Sequence, residues 1–290
     1  SVTLTVNNTY TGTTTISSGT LAVSGAGAKV GNDSGTIAVG ANQLEVNNGA
    51  SLGNPVTVST GILGNSAGAG TITGTVTASA AAKLQSTGGG TGLTLGDIGG
   101  AGSITAQGGT ITIGGTGSWS GGTTSVTAGN LQVNNGNAIP DASALTLSGS
   151  ATLTLLADET IGSLASAVNT TSVALGGKTL TTGGDNSSTQ FDGTIGGAGT
   201  SNLVKSGSGT FTLTANNTYA GTTTISSGTL VLSGAAAKIG NDSGTIAVGA
   251  NQLEVNDGAS LGNTVTISTG ILGNSAGAGT ITGTVTASAA

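Results

Sequence analysis

The 290-residue chain has no cysteine, methionine or histidine, and its five basic residues are all lysines: Lys29, Lys83, Lys178, Lys205 and Lys238. Without cysteine there is no disulfide and no thiolate metal site. Without histidine, cysteine or arginine, the usual nucleophile–base pairs and arginine clamps cannot be assembled. Aromatic residues make up 2 % of the chain and proline occurs twice, so no bulky globular core is expected. A net charge of −6 and a pI near 4.1 give no electrostatic footprint for phosphate backbones, and nucleic acid is not an expected partner. No apolar run approaches the roughly 18 residues of a membrane helix, and Ser1-Val2-Thr3-Leu4-Thr5 reads as a strand, not as a basic and then apolar leader.

What the chain has instead is repetition. Glycine reaches 56 residues, which alone would suggest disorder, but charged residues are only 6 % and the mean hydropathy is positive, the reverse of a disordered composition. Residues 7–21, NNTYTGTTTISSGTL, return as NNTYAGTTTISSGTL at 216–230, an offset of 209. The match extends without a gap over residues 2–81 and 211–290, with mild exchanges such as Val30 to Ile239. A looser copy at 117–133 places Trp119 where the others have Tyr10 and Tyr219. A domain count therefore gives way to a stacking count: residues 1–290 read as one continuous solenoid, a window of a tandem array with a 209-residue period.

Apolar residues recur at i and i+2 between threonine or serine and are bounded by glycine or asparagine, the signature of short strands. Leu4 and Val6, Leu21 and Val23, Leu44 and Val46, Ile111 and Ile113, and Phe211 and Leu213 are examples. No stretch has a helical period, so the expected fold is all-β with essentially no helix. An exact translation requires each unit to offer the next the surface it received, which a stack of parallel coils does and a sandwich or barrel does not. The expectation is a parallel β-helix, or β-solenoid, with about 20 to 25 residues per coil. Val-Asn-Asn closes a strand at Val6, Val46 and Val133; the asparagines are either an amide ladder between coils or plain turns.

The NTYTGTTTISSGTL motif, the following LEVNNGASLGNPVTVSTG, and the run at 159–230 resemble the autotransporter-associated β-strand repeat, or passenger-associated transport repeat. The likeness is strongest at 205–230. It implies a right-handed parallel β-helix that is exported and displayed on a bacterial surface, with a scaffold or adhesive role and no catalytic residues. The residues that carry it are Asn8, Thr9, Tyr10 and Gly12, their counterparts Asn217, Thr218, Tyr219 and Gly221, and Trp119 of the looser copy. The aromatic that opens each copy is expected to cover the apolar interior at a coil corner.

Little else suggests chemistry. Asp158-Glu159 is the one adjacent acidic pair and reads as a solvated corner; Asp185 and Asp192 flank a loop that lacks the dense aspartate spacing of calcium sites. Polysaccharide-cleaving β-helices are the enzymatic rival, but here the acidic residues recur one unit apart (Glu45 and Glu254, Asp33 and Asp242), whereas an active site is a single departure from a pattern. Thr-x-Thr tripeptides raise ice binding, yet their sequence spacing is irregular, and β propensity also explains outward threonines. The expected protein is therefore not an enzyme and holds no cofactor or metal. It is an extracellular structural protein that forms a fibre, filament or sheath with copies of itself. The alternative is an adhesin or scaffold that meets surface glycans.

Overall fold

In the computed structural model, which describes residues 1–288, every regular element is a β-strand, and no helix occurs among the described residues. The cause is the period-2 alternation: in Thr20–Ser24 and Gln43–Asn47 the leucines and valines face inward and the polar residues outward. The described residues group into two compact units, Ser1–Pro140 and a second that begins at Asp141.

The first unit is a parallel β-solenoid. One inward ladder runs Leu21, Leu44, Leu63, Leu84, Ala106, Val126, each directly opposite the next. A second runs Ile37, Val56, Val76, Ile98, and a third Leu52, Ile72, Leu95, Ile113, Val133. Coils thus hold 18 to 23 residues, slightly fewer than the 20 to 25 expected. The three ladders close on a narrow interior in which Leu44, Leu63 and Leu84 are wholly buried. Each such side chain contributes about 1.5–3 kcal/mol on burial. One edge of the sequence pattern fails: the first strand stops at Leu4, and Val6 lies outside it and exposed.

The second unit is built the same way. Its longest inward ladder is Glu159, Leu180, Leu203, Thr223, Ile246, Val265, Val285, and a neighbouring one runs Phe211, Leu230, Leu253, Leu272. In both units the backbone bonds of one coil are made to the coils before and after it, so a strand's neighbours are a full coil away in sequence.

Candidate functional site: aromatic corners and an outer groove

The residues shared by the repeat copies meet at one corner of the coil. The Tyr219 ring is fully buried, and its hydroxyl shares a hydrogen bond with Thr223 Oγ1 at 2.6 Å. Trp119 is also buried and donates from Nε1 to Thr124 Oγ1 at 3.3 Å; the extra residue of that copy moves the acceptor from i+4 to i+5. Tyr10 makes the same bond to Thr14 Oγ1 at 2.7 Å but is 45 % exposed. The motif therefore pairs an aromatic with an inward-turning threonine of the next strand, which satisfies the polar tip of a ring otherwise packed in apolar surroundings. Burial raises the Tyr219 hydroxyl far above the ordinary phenol value of 10.0, and the bond to Thr223 offsets only part of this.

Asn217 joins three coils. Its Oδ1 accepts from the Ile195 N–H at 2.8 Å, while Nδ2 donates to the carbonyls of Ala215 at 3.1 Å and Lys238 at 2.7 Å. Asn8 repeats the forward half, donating to Val6 and Lys29 carbonyls. Thr218 continues the ladder by donating its N–H to Ile195 O, whereas Thr9 is exposed. Gly221 lies against the preceding coil, where a Cβ would collide with Asn202 Oδ1 and the Ser201 carbonyl; around Gly12 the space is open. The glycines that follow the aromatics, Gly31 and Gly240, have φ of 66° and 64° and lie against the tyrosine rings and carbonyls, a place only glycine fills.

Of the three Val-Asn-Asn corners, one forms an amide contact between coils: Asn65 Nδ2 donates to Asn47 Oδ1 at 3.3 Å and to Val46 O at 2.7 Å. Asn135 makes a local turn instead, accepting from the Asn137 N–H. Beside the contact, Glu45 accepts from Gln43 at 2.9 Å, Asn47 at 3.1 Å and Ser66 at 2.7 Å; Glu254 is held by Gln252, Asn256 and Ser275 in the same way. The ion pairs Lys29–Asp33 and Lys238–Asp242 are likewise copies of one another.

Two acidic or basic residues lie where the sequence reading did not put them. Glu159 is not a solvated corner: it occupies an inward position opposite Leu180 and is buried, while Asp158 faces out and accepts the Thr179 N–H. Alternation along the strand separates the pair. Lys205 is also inward and buried, and its ammonium donates to the carbonyls of Ser206, Gly207 and Ser227 at 2.6, 2.8 and 3.2 Å. Desolvation lowers its pKa, and Asp185 partly opposes this. The signal was present in the sequence, since Lys205 stands two places after the inward Leu203.

Asp185 and Asp192 serve different partners. Asp185 accepts from Ser163 Oγ and the Ser187 N–H. Asp192 Oδ1 accepts from Gln190 Nε2 and Thr214 Oγ1, each at 2.7 Å. Around Asp192 two adjoining hollows of ≈ 740 and ≈ 230 Å³ share Ala167, Gln190 and Asp192 and form an open outer groove. Asn169 and Asn216 add amides to it, and Ala215 and Ala236 an apolar floor. Among the described residues no three acidic side chains gather as a metal site would require.

A stack of parallel coils with recurring aromatic corners defines the β-solenoid class. The family model for the passenger-associated transport repeat matches residues 1–23 and 203–232, the segments that contain Tyr10 and Tyr219. No curated protein and no solved structure matches the chain. The chain carries passenger-associated transport repeats on a β-solenoid and so fits an autotransporter passenger domain. That family implies a secreted or cell-surface bacterial protein and is generally non-enzymatic.

Proposed function

We propose that this chain is part of an extracellular structural protein whose tandem solenoid repeats build a surface fibre, filament or sheath, by head-to-tail continuation or lateral association of copies. The observation that supports it is the equivalence of the copies 209 residues apart. Each keeps the asparagine staple, the glutamate cluster and the lysine–aspartate pair, so the contacts that hold coils together recur from one copy to the other. Such a surface has the character of a scaffold. Electron microscopy and fibre diffraction of the purified protein test it: elongated particles with an axial spacing of about 4.8 Å are expected. Particles that stay compact at every concentration, or turnover of pectin abolished by Asp192→Asn, would overturn the reading.

The groove around Asp192 favours one second reading, an adhesive passenger that holds a surface glycan. Asp192 Oδ2 and the Asn169 and Asn216 amides offer hydrogen-bonding groups for sugar hydroxyls above an alanine floor. Glycan binding that Asp192→Asn and Asn216→Ala both weaken, with the fold intact, is the expected result for this reading; binding indifferent to both excludes the groove.

A further inference from the structure

The Thr-x-Thr tripeptides are irregular in sequence because coils vary in length, but the register of one sheet in the second unit removes that irregularity. From Leu180 its inward ladder runs to Val285, and the residues on either side of each ladder position face outward. On one side stand Thr181, Val204, Thr224, Ala247, Thr266 and Thr286. On the other stand Thr179, Asn202, Thr222, Thr245, Thr264 and Thr284. From Thr179 and Thr181 onward neither column contains a charge; Asp158 stands beside Thr179, at the start of the edge strand that precedes them. The Thr179 hydroxyl accepts from Asn202 Nδ2 at 3.4 Å; among the described residues the other threonine hydroxyls of the two columns have no hydrogen-bond partner.

The result is a two-dimensional grid, not a line, in which threonine fills all positions but Asn202, Val204 and Ala247. Its steps are about 6.6–6.8 Å along a strand and about 4.7–4.9 Å between coils. β-Branching restricts the threonine χ1, and the sheet bonds fix the backbone beneath, so the grid is ordered before any ligand arrives. A ligand for it must be flat, neutral, periodic in two directions and able to hydrogen-bond at each step. A glycan or protein partner would seek a hollow, an aromatic anchor or a charge, none of which these columns supply. Crystalline water meets every requirement. We infer that this face of the second unit binds ice: the methyl groups seat in the surface of the crystal while the hydroxyls join its hydrogen-bond network. The corresponding sheet of the first unit is a poorer grid, because Pro55 and Asp97 stand in its outward column.

The test is ice-affinity partition and thermal hysteresis of the full chain, with circular dichroism to verify folding. The wild-type protein is expected to enter growing ice and to depress its growth temperature. The double variant Thr224→Lys/Thr266→Lys should lose both effects, while Thr212→Lys, on a different sheet of the same unit, should keep them. Absence of hysteresis in the folded wild type, or equal activity in the double variant, would overturn the inference. So would a lateral dimer that the double variant dissociates in a protein with no effect on ice, because the grid would then serve a second copy.

Discussion

At the scale of single residues, the same letter performs different work in the two copies of the motif. Tyr10 and Tyr219 each bond a threonine four residues on, but only Tyr219 is sealed from water. Replacing Tyr219 by phenylalanine should cost about 1 kcal/mol at neutral pH, and the same change at Tyr10 less, since water replaces the lost bond there. The Tyr219 hydroxyl has its folded-state pKa raised above the unfolded value of 10.0. Its stabilising contribution is therefore full below that value and is lost as pH rises through the folded-state value. Urea unfolding of a Tyr10→Phe protein at increasing alkaline pH should show this loss together with the appearance of phenolate absorbance, and adding Tyr219→Phe to that protein should remove both.

At the scale of the coil, close approach decides what a glycine is for. Gly12 and Gly221 occupy the same place in the repeat, yet the preceding coil fills the position of a Cβ only at Gly221. Gly221→Ala is expected to destabilise by about 1–3 kcal/mol through overpacking, and Gly12→Ala to be near neutral; denaturant midpoints of the two variants make the comparison. Much of this was legible beforehand. The alternation of Leu21 and Val23 or Leu44 and Val46 gave strands and their inward faces, because period 2 is a local property of the backbone. The same alternation, followed through charged residues, places Lys205 and Glu159 inside; a reading that assumes charges are solvated misses both.

At the scale of the whole molecule, a solenoid is stabilised by nearest neighbours, so identical sequence is not equally stable everywhere. Val76 is wholly buried beneath Ile98, whereas its counterpart Val285 is 46 % exposed in this chain. Hydrogen exchange should accordingly find the amides of Val285–Ala287 opening well before those of Val76–Ala78, although the two strands read alike. Equal protection at both places would mean that the last strands of the chain are covered by another copy.

The sequence by itself determined the strand composition, the lack of helix, the 209-residue period and the stacking of parallel coils, since these follow from alternation and translation, which are written along the chain. Tertiary structure alone decided which residues of different coils stand side by side. Coil lengths of 18 to 23 residues scatter the Thr-x-Thr tripeptides and the partners of Asp192 in sequence. Hydrogen bonds between coils absorb the difference in the turns and restore the register, so the threonine grid and the groove exist only once the backbone has paired.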